Sequence, residues 1–324
     1  MKRVYILSFI LLLGCAIATS TTNDVVFGHG FGGNRMHGRL YQDTFSGCNI
    51  HVFDFPDSPG RPEYAGRGFP NMRETSLGQD NEIDEFQQKF REVKERNRNG
   101  KMIVAGVSRG AITALNGNFE GADGIFVESP GNMRDIVKGQ CRQSGVGWVP
   151  FLDAATHWCV VPWILQKHNP AGPHPIDSVA NIPREMPIFI SYTKEDGLIP
   201  PSSTVKIAEK LVQTGHNNVY LWGANKGEHG YIIHGPDRAV YEKVAKAFVR
   251  KVTGQRSHFM FGQRDPEGDR MLEDAKLTPE SLDDLGRLRK ELEWNECTQY
   301  PIRNLISFVC FAAAVGFAAN KLLG

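Results

Sequence analysis

The stretch that decides the fold is IVAGVSRGAIT, residues 103–113. An apolar strand-forming run leads into Gly106-Val107-Ser108-Arg109-Gly110, and a helix-forming run follows. A serine between two glycines in a strand-to-helix turn is typical of an exposed nucleophile. The same glycines also suit a tight connection that only packs the strand on the helix. Other parts of the chain must decide between these two interpretations.

The composition limits the classes of protein to consider. The chain has 324 residues, with 37 Lys and Arg against 36 Asp and Glu. This length suits one sizeable core with attachments, or two small domains. The near balance of charge argues against a dedicated nucleic-acid binder, which usually carries a basic excess. We therefore expect a globular protein without a nucleic-acid partner.

Apolar runs alternate with helical patterns along the middle of the chain. Predicted strands cover residues 24–28, 50–53, 102–106, 124–127, 187–192 and 219–222. Helical periodicity covers residues 82–98, 203–214 and 237–251, and another helix runs from the serine turn to residue 115. Strands that alternate with helices indicate an α/β fold with a mostly parallel sheet of about six strands and helices on both faces.

Residues 131–183 interrupt this alternation and are rich in Pro, Gly, Trp and Cys. An insertion of this length is either a functional lid or a peripheral helical addition. Its aromatic residues suit an apolar acyl-binding surface or the insertion's own core, and they are Trp148, Phe151, Trp158 and Trp163. Cys141 and Cys159 are close enough in sequence for a disulfide, with a pair of reduced cysteines as the equal alternative.

The amino-terminal residues 1–18 have the layout of a secretory signal, with Lys2 and Arg3 before an apolar run. Two processing routes fit. Ala16-Ile17-Ala18 matches a small-residue cleavage site, and residues 12–15 resemble a lipoprotein box in which Cys15 would carry the lipid. An uncleaved membrane anchor is the alternative. We expect an exported protein that is secreted, periplasmic or membrane-associated.

The carboxyl-terminal part divides into two segments. Residues 257–301 are charged and helical, with an apolar stripe of leucines, and they predict a docking helix or a helical stalk without chemistry of its own. Residues 302–324 contain an uncharged apolar run over 305–319, shorter than the ~20 residues that a spanning helix prefers. We expect this segment to be a membrane anchor, with an interfacial or packed helix as alternatives.

A glycine-rich loop, His29-Gly30-Phe31-Gly32-Gly33, follows the first predicted strand. Glycines allow such a loop to approach a neighbouring turn and to aim backbone N–H groups inward. The Phe31 amide is therefore a candidate oxyanion donor beside Ser108. A plain strand-to-helix turn is the alternative, and a dinucleotide loop fits poorly because the glycine spacing differs from that fingerprint.

An acid and a base follow on later loops. Glu195 and Asp196 come just after the fifth predicted strand, and His229 and His234 follow the last one. Catalytic groups of open α/β sheets lie on loops at the carboxyl ends of strands. Alone, Asp196 could form an Asx turn and His229 could be a surface residue. In combination, the order Ser108, Asp196, His229 predicts a triad.

On these residues the chain resembles the α/β-hydrolase superfamily from about residue 24 to residue 251. The resemblance implies a hydrolase domain over 19–256, with Ser108 as nucleophile, Asp196 as acid and His229 as base. It also implies oxyanion donors at the Phe31 and Arg109 amides, and no cofactor or metal. The insertion falls where this superfamily commonly carries its cap. We expect a sheet without the two leading strands of the full superfamily pattern.

The expected function is that of an exported serine hydrolase, attached to a membrane through its tail or through a lipidated Cys15. It would cleave an ester, thioester or amide of a small or lipid-like substrate by way of an acyl-enzyme. An acyltransferase or a peptidase would use the same triad. A protein of a different class, a catalytically silent membrane scaffold, would have no need of these residues.

Overall fold

A single sheet of six parallel strands organises the protein. The computed structural model describes residues 22–64, 70–143, 151–254 and 265–298. The strands are β1 (Asn23–Gly28), β2 (Cys48–Val52), β3 (Met102–Val107), β4 (Gly124–Glu128), β5 (Ile188–Thr193) and β6 (Val219–Ala224). Their order across the sheet is β2-β1-β3-β4-β5-β6, and every neighbouring pair is parallel. The predicted six-stranded parallel sheet is confirmed.

Helices cover both faces of the sheet, as the alternation predicts. They are α1 (Asp80–Arg96), α2 (Arg109–Asn116), α3 (Met133–Gln143), α4 (Leu152–Ala155), α5 (Val161–Ile164), α6 (Pro175–Ser178), α7 (Pro201–Gln213), α8 (Arg238–Thr253), α9 (Pro266–Asp274) and α10 (Leu282–Thr298). Short 3-10 segments are Arg35–Tyr41, Pro62–Tyr64, Val179–Asn181, Ile232–His234 and Pro279–Ser281. A π-helical turn, Thr156–Val160, joins α4 to α5.

Two hydrophobic cores lie on opposite faces of the sheet because successive side chains of a strand point to opposite sides. On β1, Val26 faces the core formed with α1, α2 and α7, whereas Val25 and Phe27 face the core formed with α8 and α9. Since both faces are covered, the central strands are apolar runs without alternation, which is the pattern of buried parallel strands.

The strand order reverses between β1 and β3. The chain leaves β1 for β2 on one side and returns as β3 on the other side of β1. At such a point the loops after the two strands diverge and leave a crevice at the carboxyl edge of the sheet. The loop after β1 contains His29, and the turn after β3 contains Ser108, so the two predicted motifs flank this crevice.

The described part of the insertion, referred to below as the cap segment, is helical and has its own small core of four buried residues, Val137, Cys141, Val161 and Leu165. The aromatic residues Phe151, Trp158 and Trp163 are 83%, 56% and 54% exposed, so they are not the core of the cap segment. That alternative is wrong for these three residues. Trp148 lies outside the described residues.

The two cysteines of the cap segment differ in environment. Cys141 is buried in the core of the cap segment, Cys159 is exposed, and both are free thiols. The structure therefore has Cys141 and Cys159 as a pair of reduced cysteines and not as a disulfide.

The cap segment is fastened to the body by polar contacts. The Gln79 amide donates to the backbone oxygens of Asn169 and Pro173. On the other side, the Gln140 amide of α3 donates to the backbone oxygens of Gly197 and Leu198, next to Asp196. The cap segment therefore contacts the loop that carries the predicted acid.

Of the docking helix and the stalk that residues 257–301 predict, the described residues agree with the docking helix, because α10 lies along the body of the domain. Leu285 and Leu292 are buried in the core that α7 shares. The Glu296 carboxylate accepts hydrogen bonds from the backbone N–H and the hydroxyl of Ser202, both at 2.9 Å, in the first turn of α7. The apolar stripe is therefore a packing surface.

The predicted signal over 1–18, with Cys15, and the tail over 302–324 lie outside the described residues. Among the helices that the structure describes, none has the length and apolar character needed to cross a membrane.

Candidate active site

Ser108 occupies a strained turn between β3 and α2. Its φ and ψ are 55° and −117°, a region that L-residues rarely adopt. Strain of this kind persists only where the surrounding structure enforces it, and it is common at functional sites. The Ser108 amide donates to the Glu128 carbonyl at 2.8 Å, which ties the turn to the end of β4.

The two glycines of the turn are required by close backbone contacts. A Cβ on Gly106 would lie 2.4 Å from the Gly110 carbonyl, and a Cβ on Gly110 would lie 2.0 Å from the Gly28 oxygen. Any side chain at either position would force β1, β3 and α2 apart. The glycines therefore pack the elements tightly, and this packing is also what holds Ser108 in its strained conformation.

Three predicted residues meet at the carboxyl edge of the sheet. His229 Nε2 lies 2.7 Å from Ser108 Oγ, and His229 Nδ1 lies 2.6 Å from Asp196 Oδ2. The other Asp196 oxygen accepts the N–H groups of Leu198 and Ile199, both at 2.9 Å. Asp196 thus forms an Asx-type turn with one oxygen and orients the imidazole with the other, so both interpretations of this residue apply.

The electrostatic environment makes His229 a stronger base than a free imidazole. Burial alone would lower the pKa of His229, but the charge and hydrogen bond of Asp196, together with the Glu128 charge, raise the pKa above its usual value of about 6.5. Because Asp196 accepts from Nδ1–H, Nε2 is left as the acceptor for the Ser108 hydroxyl. This arrangement can transfer the serine proton to the histidine.

The glycine-rich loop lies beside the serine turn. A Cβ on Gly30 would be 3.6 Å from the Cβ of Ser108. The Arg109 amide opens α2 and has no acceptor within the helix. Phe31, the next residue along the loop, is partly exposed. The Arg109 amide and the loop that carries the Phe31 amide therefore flank the serine, where oxyanion donors would act.

The side chain of Arg109 is a buried organising element that sequence reasoning did not identify. Its guanidinium donates to the buried Asp57 and lies 3.7 Å from the buried Glu82. It also stacks 4.4 Å from the centre of the Phe55 ring and contacts His29 Nδ1 at 3.3 Å. The network joins the loop after β2 and the start of α1 to the glycine-rich loop.

Glu128 forms a second buried network that the sequence did not reveal. It ends β4 and is completely buried. Its carboxylate accepts the phenol hydroxyls of Tyr41 and Tyr241 at 2.9 and 3.0 Å, and the Ile232 N–H at 3.4 Å. A glutamate directly after a buried apolar strand is the available signal, but its partners are distant in sequence.

The remaining candidates lie apart from the triad. Glu195 and His234 are exposed on the same two loops, and neither contacts Ser108. Two open grooves elsewhere on the described surface contain no triad residue: one lies along α1 near Arg91, the other near Phe119 and Pro187. The site is therefore identified by side-chain geometry. No cluster of His, Cys, Asp or Glu among the described residues is arranged to hold a metal ion.

Comparison with known sequences gives no relative: no family model matches the chain, and no curated protein does. Solved structures are similar in fold. An esterase of Pyrococcus furiosus matches with a TM-score of 0.53 at 19% identity over 72% of this chain and 83% of the esterase. The acylaminoacyl peptidase of Pyrococcus horikoshii matches with a TM-score of 0.53 at 15% identity, over 74% of this chain and 39% of the peptidase.

These similarities agree with the sheet order and the helices on both faces. The chain has the α/β-hydrolase fold, as its resemblance implied. At these identities the comparison defines the fold, and the chemistry has to be argued from the site.

Proposed function

We propose that this protein is a serine hydrolase that cleaves an ester, thioester or amide through an acyl-enzyme. The observation that carries the proposal is the continuous hydrogen-bonded chain Ser108–His229–Asp196, built on a strained turn. A serine hydroxyl is a weak nucleophile unless a base lies within hydrogen-bond reach and is itself oriented by a third group. His229 meets the first condition and Asp196 meets the second.

The reaction follows from the positions of these groups. His229 Nε2 takes the Ser108 proton as Oγ attacks the substrate carbonyl carbon, and the oxyanion forms against the Arg109 and Phe31 amides. The imidazolium then gives its proton to the leaving group, and the acyl-serine remains. A water molecule activated by the same His229 nitrogen attacks this ester, and its proton returns to Ser108 as the acid is released.

The surface around the site favours an apolar acyl group. Three large apolar side chains on three different loops of the site are exposed: Phe31, Leu198 and Tyr231. Phe31 is itself a candidate oxyanion donor, and the other two each lie two residues beyond a triad residue, Asp196 or His229. Exposed apolar side chains on the loops that hold the site residues are more informative than scattered ones. The esterase among the structural neighbours fits this substrate class, and a lipid-like ester is the proposed substrate.

Labelling with a fluorophosphonate probe tests the mechanism. Wild-type protein is expected to be labelled and to hydrolyse nitrophenyl esters of short and medium acyl chains, whereas Ser108→Ala loses both properties. Ser129→Ala is the matched control, because Ser129 also has a positive φ at a strand end and a buried hydroxyl without a partner among the described residues. Equal turnover by the wild type and Ser108→Ala rules the mechanism out.

The same triad would serve an acyltransferase or a peptidase, and the acylaminoacyl peptidase among the structural neighbours favours including amides. Product analysis with and without alcohol or amine acceptors separates transfer from hydrolysis. Absence of probe labelling on folded protein would favour the silent scaffold.

We also propose that the protein is exported and attached to a membrane, on the strength of the signal pattern in residues 1–18 and the apolar run in 305–319. Detergent extraction of the full chain and of a variant without residues 302–324 tests the attachment. If deletion of residues 302–324 leaves the membrane fraction unchanged, the tail does not hold the protein there, and attachment through a lipidated Cys15 or an uncleaved amino-terminal anchor is favoured.

A further inference from the structure

Glu128 is a buried carboxylate that the triad chemistry does not itself require. It is completely buried at the end of β4, and its backbone oxygen holds the Ser108 amide. Burying an ionised carboxyl group is costly unless hydrogen-bond donors compensate it. An apolar residue would complete the strand at lower cost, so the position of this carboxylate calls for a reason beyond packing.

The hydrogen-bond partners of the Glu128 carboxylate come from three separate elements. Tyr41 ends the 3-10 segment after the glycine-rich loop, Tyr241 lies in α8, and Ile232 follows His229 by three residues. All three donate to the carboxylate. Burial, together with the Glu128 charge, raises the pKa of both phenols well above the usual value, so the phenols remain protonated donors.

The carboxylate is tied to the loop that carries His229, because it accepts the N–H of Ile232, three residues beyond the imidazole. The groups that face His229 are Ser108, Asp196 and Glu128, and those that face Glu128 are the two phenols and His229 itself. Burial raises the pKa of Glu128, whereas the phenol hydrogen bonds, the Ile232 N–H and the His229 charge act in the opposite direction. A negative charge beside the imidazole stabilises the imidazolium that forms as the serine attacks.

We propose that Glu128 is a positioning residue: its carboxylate anchors the loop that carries His229 to β4 and, through that anchor, brings a second negative charge to the neighbourhood of the imidazole. The effect of Glu128 on catalysis rests on the proposed hydrolase function. The anchoring and the charge are properties of the folded protein and are measurable without turnover.

The decisive experiment is an NMR titration of the His229 ring in the full chain, with His229→Gln identifying its signal among the ten histidines. Glu128→Gln keeps the shape of the side chain and removes the charge. The titration midpoint of His229 is expected to move to lower pH by more than the error of the measurement. If the wild type is active, the kcat of Glu128→Gln is expected to be about tenfold lower, with KM little changed. This corresponds to an activation free energy higher by roughly 1.4 kcal/mol.

Asp24→Asn is the matched control. Asp24 is also a buried, hydrogen-bonded carboxylate, but it pairs with His51 at the amino end of β1, level with Met102 and about 20 Å of strand from Ser108. The His229 midpoint is expected to be unchanged in this variant. An unchanged midpoint in Glu128→Gln overturns the proposal, whatever happens to the rate.

A second variant applies if Glu128→Gln does not fold. Tyr241→Phe keeps the charge and removes one anchor, and kcat is expected to fall about threefold at constant KM. An unchanged kcat would contradict the anchoring role. Failure of the wild type to react with the fluorophosphonate probe, by contrast, would count against the proposed hydrolase alone, because the His229 titration does not depend on turnover.

Discussion

The Nε2 atom of His229 lies 2.7 Å from the Oγ atom of Ser108, although 121 positions separate the two residues in the chain. The contact exists because β3 and β6 are parallel members of one sheet, so that the turn after one and the loop after the other reach the same edge. Asp196, which follows β5, completes the relay at the same edge.

The first prediction concerns pH. Because the pKa of His229 is raised, and only the neutral imidazole accepts the serine proton, kcat/KM is expected to fall as the pH drops through a value above 6.5. Asp196→Asn removes the charge that raises this pKa, so the acid limb moves to lower pH and the rate falls about 10³- to 10⁴-fold. A pH series of initial rates measures both effects.

Glu195→Gln is the control for this series. Glu195 is the exposed neighbour of Asp196 on the same loop. Its variant is expected to keep the wild-type pH profile. If the pH profile shifts equally in both variants, the total charge of the loop, and not the His229–Asp196 contact, determines the pKa of His229.

The second prediction concerns the glycine contact beneath the serine. Gly110→Ala places a methyl group about where the Gly28 oxygen lies, so we expect the free energy of unfolding to fall by about 3 kcal/mol. Gly197→Ala, at a position with open space around it, is expected to stay within about 0.5 kcal/mol of the wild type. Urea denaturation compares them, and equal stability of the two variants contradicts the packing argument.

The third prediction concerns the buried network of Arg109. Arg109→Met leaves Asp57 and Glu82 buried without their cation, which is expected to cost about 3–5 kcal/mol of unfolding free energy. Arg287→Met removes an exposed pair with Asp284 and is expected to change stability by less than about 1 kcal/mol. A small loss in Arg109→Met would show that the ion pairs are not what holds this part of the site.

The fourth prediction concerns acid stability of a contact made by the cap segment. His168 donates from Nδ1 to the Ser76 oxygen, and burial lowers its pKa to about 4. The pKa of His168 is therefore lower in the folded protein than in the unfolded chain, where it is near 6.5. Its contribution to the free energy of unfolding is fully present above pH 6.5 and is lost as the pH falls, by about 3 kcal/mol at pH 4.

His168→Asn retains a donor near Nδ1 and cannot be protonated in this range. Its free energy of unfolding is expected to fall less between pH 6.5 and pH 4 than that of the wild type, as followed by tryptophan fluorescence in urea. Parallel pH dependences of the two proteins would show that His168 does not titrate against folding.

Much of the fold could be predicted because its signals are local. A buried parallel strand is a short apolar run and an amphipathic helix repeats every three to four residues, so six strands and the main helices are legible in order. The triad could also be predicted from the sequence, since each member lies on a turn or loop that follows a strand. For residues 257–301 the sequence left a docking helix and a stalk open, because an apolar stripe does not reveal which surface it covers.

The order of the elements, the serine turn and the choice of Asp196 and His229 as partners of Ser108 could all be predicted from the amino-acid pattern. The tertiary structure was needed to show that Arg109 and Glu128 are buried among partners from distant elements. The physical reason is that a buried charge is tolerated only where donors or opposite charges converge on it. That convergence depends on which loops meet at the sheet edge, and no local pattern encodes it.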